Sequence, residues 1–139
     1  MARTTFNGPV VSQNGFIQGH QITADNAINA TATATAAQVA SGYITSTSAA
    51  ATIITLPTGT ALGAAIGATQ GTVLDLFIDN TAGASTVTVA VNTNAVLSTA
   101  AVDTAASFGD LTIASGATGI GRFTLMFSSA TAYTFTRTA

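Results

Sequence analysis

A period of two runs through this chain and limits what it can fold into. Over 72–79, Leu74, Leu76 and Ile78 alternate with Asp75, Phe77 and Asp79; over 86–92, Val87, Val89 and Val91 alternate with Thr86, Thr88, Ala90 and Asn92. Towards the C-terminus Phe123, Leu125 and Phe127 alternate with Arg122, Thr124, Met126 and Ser128, and Tyr133 and Phe135 alternate with Thr134, Thr136 and Thr138. Successive side chains of an extended strand point to opposite faces, so each run has one face to bury and one to expose. Thr, Val, Ile and Phe fit that pleated surface better than they fit a helix. Asn80-Thr-Ala-Gly-Ala84 separates the first two runs and Ser129-Ala-Thr131 the last two. Both linkers are turn chemistry and predict two hairpins.

The remainder reads around these runs. Residues 42–47 and 51–56 are expected strands, the second ended by Pro57, which has no N–H for a ladder. Short strands are expected at 95–98, 105–108 and 111–114, with a loop over 115–119. Between Thr58 and Gly71 the spacing changes: Leu62 and Ile66 are four apart, as on one helix face. One short helix is expected over 60–67, capped by Thr58 or Thr60 and ended by Gly67 or Gly71. Gly59, Gly63, Gly67 and Gly71 recur every four residues, which suits an element lying close to a sheet, where a missing Cβ allows near approach. Residues 1–24 are polar and broken by Asn7-Gly8-Pro9, Asn14-Gly15 and Gln18-Gly19, with two apolar pairs, Val10-Val11 and Phe16-Ile17. Over 25–40 the sequence simplifies to Ala and Thr; its alternation suits a smooth strand, while its alanines also favour a helix.

The fold class predicted is all-β: an antiparallel β-sandwich, jelly-roll-like, with an extended N-terminal arm (1–40), a β-sandwich domain (41–139) and one short helix. The inward set (Leu56, Leu74, Leu76, Ile78, Val87, Val89, Val91, Ile113, Phe123, Leu125, Phe127, Tyr133 and Phe135) is enough for one core, each such side chain contributing roughly 1.5–3 kcal/mol on burial. Phe77 and Met126 are expected to point outward, where an apolar ring marks an interface or a second layer.

Charge narrows the function. The 139 residues include 3 Arg and 5 Asp but no Lys and no Glu, for a net charge of −2. Three arginines build no basic stripe, so binding to nucleic-acid phosphates is excluded. Charged residues make up 6% of the chain, and its 29 alanines and 27 threonines must supply most of the exterior. Few ions need be stripped of water when such a surface is covered, so the chain is expected to work packed in an assembly. There is no Cys, hence no disulfide framework and no thiolate metal site. The opening residues lack the apolar core of a secretory signal, and no stretch of about 20 residues is apolar enough to span a bilayer. Synthesis in a cytoplasm, with no membrane contact, is therefore expected.

No catalytic constellation is legible. The single histidine, His20, falls in the polar lead, away from any scaffold that could hold a general base. Asp75 and Asp79 share a strand face, but four residues of strand span about 13 Å, too far for both to hold one ion. Asp103 and Asp110 fall in loops without the ligand spacing of a calcium loop. No enzyme activity, no cofactor and no metal are expected.

The order of elements in Tyr43-Ile-Thr-Ser-Thr, Thr52-Ile-Ile-Thr-Leu-Pro57, Gly71-Thr-Val-Leu-Asp-Leu-Phe-Ile-Asp-Asn80 and Ser85-Thr-Val-Thr-Val-Ala90 resembles a β-rich module of tailed-phage structural proteins. With the closing hairpin from Gly121 to Thr136 and the lead from Phe6 to Phe16, the chain resembles a tailed-bacteriophage head decoration (capsid cement) protein. The resemblance implies a virion location on the outer capsid surface, a homotrimer, and the phage major capsid protein as partner, with no catalytic residues. Val10, Val11, Phe16, Ile17 and Phe77 are the expected contact residues. The alternative is a virion fibre, receptor- or glycan-binding module; the absence of Trp and the presence of only two Tyr weigh against it.

Overall fold

The computed structural model describes residues 26–97 and 111–139. The elements in chain order are β1 (Ala32–Thr33), α1 (Ala36–Ala40), β2 (Tyr43–Thr45), β3 (Thr52–Thr55), α2 (Gly59–Ile66), β4 (Val73–Asp79), β5 (Val87–Ala90), β6 (Ala95–Leu97), β7 (Thr112–Ile113), β8 (Ile120–Ser129) and β9 (Ala132–Arg137). They form a four-stranded sheet ordered β1-β3-β5-β7 and a five-stranded sheet ordered β2-β4-β8-β9-β6. Both sheets feed one core, with Ile54, Val87, Val89 and Ile113 from the smaller and Ile44, Leu76, Ile78, Phe123, Leu125 and Phe135 from the larger.

The strand pairing corrects the predicted antiparallel, jelly-roll-like all-β sandwich. Both sheets are mixed: β1/β3, β3/β5, β2/β4 and β6/β9 are parallel, whereas β4/β8, β5/β7 and β8/β9 are antiparallel. There are two α-helices among the described residues, not one. The closing hairpin forms, with Phe123 opposite Arg137 and Phe127 opposite Tyr133. The hairpin expected between 72–79 and 86–92 does not, because β4 pairs with β2 and β8 while β5 pairs with β3 and β7. The linker between them crosses from one sheet to the other. It carries Asn80 at the crossing, fully buried, whose Nδ2 donates to the carbonyls of Ser85 (2.8 Å), Ala114 (2.9 Å) and Ile113 (3.4 Å). One side chain thereby ties the end of β4 to the start of β5 and the end of β7.

The Ala/Thr tract also departs from the strand expected there. The strand β1 is limited to Ala32–Thr33; Thr35 then starts α1 with a reciprocal cap, its hydroxyl accepting from the Gln38 N–H while the Gln38 side chain accepts from the Thr35 N–H. Two orphan donors of the first turn are satisfied at once. Ile28, Ala34 and Val39 lie in the core, so residues 26–40 contribute to it.

Helix α2 sits where the spacing of Leu62 and Ile66 predicts, capped by Thr58 at its start and closed by Gly67 at φ +62°. Its glycines face the β8–β9 turn. A Cβ on Gly59 would collide with the Thr131 and Asn94 carbonyl oxygens, and one on Gly63 with the Ala130 carbonyl oxygen. Leu62 is fully buried on the same side. Tyr133 fixes the helix's approach by donating its hydroxyl to the Pro57 carbonyl at 2.7 Å, and burial pushes that phenol well above its ordinary pKa. Of the predicted inward set, Leu74 is half-buried and Val91, one residue beyond β5, is exposed; the others are buried. The strand expected at 105–108 lies outside the described residues.

Candidate binding surface

The register of the five-stranded sheet decides what its outer face shows. Phe77 stands opposite Tyr43 on one side and Arg122 on the other; Asp79 stands opposite Thr45 and Ile120; Asp75 opposite Thr124; Val73 opposite Met126. These positions alternate with the core residues Leu76, Ile78, Phe123 and Leu125, so they share the opposite face. Five of the seven large apolar side chains exposed among the described residues lie here: Tyr43, Val73, Phe77, Ile120 and Met126, between 39% and 56% exposed. Phe77 and Met126 point outward as their parity predicts. Tyr43, Val73 and Ile120 were not singled out in the sequence, since only the pairing shows that three strands bring them to one face.

The charges on this face are all hydrogen-bonded within the chain. Arg122 Nη2 donates to Asp75 Oδ2 at 2.7 Å, Thr124 Oγ1 donates to Asp75 Oδ1 at 2.8 Å, and the guanidinium lies 5.7 Å from the centre of the Phe77 ring. The hydrogen bond from Arg122, and then that from Thr124, hold the Asp75 carboxyl below its ordinary range. Asp79 accepts from the backbone N–H (2.9 Å) and hydroxyl (2.6 Å) of Thr81 and from the Tyr43 hydroxyl (2.6 Å). The Thr81 hydroxyl first, and Tyr43 second, lower its pKa, while the bond to Asp79 raises that of Tyr43. Both carboxylates therefore stay ionised at neutral pH and are already hydrogen-bonded. Their pKa values are lowered on folding, so the stability they contribute is present above the ordinary carboxylate range and is lost as pH falls through the depressed values. Both lie at the surface, where such terms are small.

The face has three bands. Val73 and Met126 form an apolar end, Asp75, Thr124 and Arg122 a polar middle, and Tyr43, Phe77 and Ile120 a second apolar end around Asp79. At the β2 edge the chain enters the described fold: the Ile28 N–H donates to the Thr45 carbonyl and the Thr45 N–H to the Asn26 carbonyl, as in a short parallel strand. The Asn26 side chain is anchored there by donating to the Gln38 carbonyl, to Ser41 Oγ and to the Tyr43 carbonyl.

Of the predicted contact residues, Phe77 is on this face, half in contact with Arg122; Val10, Val11, Phe16 and Ile17 lie outside the described residues. His20, Asp103 and Asp110 also lie outside them. No group of three or more His, Cys, Asp or Glu able to hold a metal occurs among the described residues, and none of the described helices is long and apolar enough to cross a membrane. No protein-family model, no curated protein and no solved structure matches this chain. The face offers a partner exposed apolar side chains around two carboxylates that are already hydrogen-bonded, Asp75 to Arg122 and Thr124 and Asp79 to Thr81 and Tyr43.

Proposed function

We propose that this chain is a structural virion protein that binds the outside of a phage capsid and cements neighbouring major capsid protein subunits. The observation that supports this most is the outer face of the five-stranded sheet, where five large apolar side chains surround one ion pair and one hydrogen-bonded carboxylate. Covering such a face costs less than covering bare charges, because Asp75 keeps Arg122 as its counter-ion and Asp79 keeps three hydrogen bonds. Val10, Val11, Phe16, Ile17 and Phe77 make the contact, and many weak copies on one lattice give avidity without a tight single site. Self-association as a trimer would multiply that effect. The protein acts by binding, with no enzyme activity and no cofactor.

Truncation tests this function. A chain lacking residues 1–20 keeps all the described residues, and is expected to retain the unfolding transition of the full chain while decorating emptied capsids at least tenfold less well, measured by co-sedimentation. Full decoration by the truncated chain would remove the lead from the account. Tyr43 and Phe77 side by side next to Asp79 also suit the alternative, a glycan-binding module, since a sugar stacks on exposed rings beside polar groups. Saturable binding of free oligosaccharides, with no binding to capsids, would favour that alternative.

A further inference from the structure

The parallel pairs of both sheets share one register. Ala27 stands beside Thr45 and Thr45 beside Asp79 in the larger sheet, while Ala32 stands beside Ile54 and Ile54 beside Val89 in the smaller. Along the chain these strands alternate between the sheets, in the order 26–28, β1, β2, β3, β4, β5. After β1 comes α1, capped by Thr35, and after β3 comes α2, capped by Thr58, with α1 packed on α2. Residues 26–90 therefore wind as three turns of one coil, each turn giving one strand to each sheet, as in a solenoid.

The two ends of this stack differ. At one end β7 lies antiparallel on β5 and β8 antiparallel on β4, which stops the coil, and Arg137 Nη1 donates to the Thr112 carbonyl of β7 at 2.9 Å. At the other end the first turn supplies the outermost strand of both sheets among the described residues. There the Thr45 N–H donates to the Asn26 carbonyl and the Thr45 carbonyl accepts from the Ile28 N–H, which turns the N–H and C=O of Ala27 outward. The Ala34 N–H donates to the Thr55 carbonyl, which turns the N–H and C=O of Thr33 outward in the same way. Each sheet thus presents a donor and an acceptor at this end. Sheet edges are ordinarily guarded by a charge or a proline. Residues 26–40 contain neither.

We infer that this first turn is a contact surface for a second copy of the chain, the two joined edge to edge about a twofold axis. The occupant follows from the ends of the stack. An uncharged end meets its own copy without repulsion, and identical edges related by a twofold axis across the sheets run antiparallel. That axis sets like sheet beside like, so both edges pair at once and each sheet continues from one copy into the next, as when an added strand extends a sheet. The stopped end offers no matching turn among the described residues, so the contact closes on a pair and does not propagate into a fibre. The contact uses neither the outer face of the larger sheet nor a capsid, so it goes beyond the proposed function and does not rest on it. Being pairwise, it is additional to any threefold contact.

Particle mass measured by sedimentation equilibrium of the full chain, at tens of micromolar, tests this. Thr33→Pro removes an N–H directed away from β3, at an edge position of the kind that tolerates proline. It is expected to keep the circular dichroism of the parent and to halve the particle mass. Ala32→Lys, at an exposed position of β1, supplies the charge that the edge lacks and is expected to halve the mass as well. If T33P folds differently from the parent, A32K alone decides. Ile53→Lys is the control: Ile53 is 46% exposed on β3 and alternates with the buried Thr52 and Ile54, so it lies on the sheet's outer face, and the mass is expected to stay unchanged. Three results would overturn the inference. One is a full chain that sediments as a single copy at every concentration, its edge then covered by its own leading residues or left to water. The second is a mass that the edge variants leave unchanged, and the third is a mass that I53K halves as they do.

Discussion

Replacing Asn80 with Asp is expected to destabilise the fold by at least about 3 kcal/mol, more than any surface change. Asn80 is fully buried and its Nδ2 serves three carbonyls belonging to Ser85, Ile113 and Ala114. Its Oδ1 has no hydrogen-bond partner among the described residues and lies against Gly83, where a Cβ would overlap it. An ionised aspartate there would aim a second oxygen at three carbonyls with no donor in reach; the protonated acid could serve only one. Leaving a buried carbonyl without its donor costs about 1–3 kcal/mol. The substitution also carries a pH signature. Burial raises the folded-state pKa of such a carboxyl above its unfolded value of about 3.9. The unfolded chain then releases its proton first, so N80D loses stability as pH rises from 4 to 7. Asp75 and Asp79, with lowered values, push the parent chain the other way over the acid range. Urea unfolding of N80D, N80A and the parent at pH 4 and pH 7 measures this. N80D within about 0.5 kcal/mol of the parent at pH 7, the scatter of ordinary surface substitutions, would show that Asn80 does not hold the two sheets together.

Gly63→Ala is expected to reverse the usual sign of a glycine-to-alanine change in a helix. In an exposed helix interior that change stabilises by about 1 kcal/mol, because glycine has more backbone freedom to lose. At Gly63 the new methyl would occupy the space of the Ala130 carbonyl oxygen and lie 3.4 Å from the Phe127 ring. Those atoms belong to the β8–β9 hairpin, whose backbone is fixed by its ladder, so α2 has to move away. Leu62, fully buried beside it, loses packing as it does, and overpacking of this kind costs about 1–3 kcal/mol. A64G, on the exposed side of the same helix, measures the propensity term alone and is expected to cost about 1 kcal/mol. If G63A were as stable as the parent or more so, helix and hairpin would not be in the contact described.

Much of this architecture is legible locally, and its pairing is not. The alternation of Leu74, Leu76 and Ile78 with Asp75, Phe77 and Asp79 identifies β4 and both of its faces, because a strand's parity is written in consecutive residues. Its neighbours are not written there: β2 and β8 are brought to it from either side along the chain. The seven-residue linker 80–86 was the available signal, being longer than the two to five residues that ordinarily close a hairpin. In the Ala/Thr tract the signal lay in the spacing Thr35-x-x-Gln38, a reciprocal cap, which the alternation of small residues around it obscured. Ile44 and Ile54 reach the core from strands too short to show a period. The binding face was half legible, with Phe77 and Met126 pointing outward from their own strands. Tyr43 and Ile120 join them only through the register between strands, which is a property of the whole chain.

The proposed function requires a face that a partner can cover through apolar contact, with the carboxylates on it already hydrogen-bonded. Binding of the full chain to emptied capsids across salt concentrations tests that claim most directly. Screening acts over about 8 Å at 0.15 M salt and about 3 Å at 1 M, so attachment through exposed ions fades between the two while apolar attachment does not. The bound fraction measured by co-sedimentation is expected to change less than twofold from 0.15 M to about 1 M salt. Release of the protein at the higher concentration would contradict the account, because Arg3, Arg122, Arg137 and the aspartates would then be holding it in place.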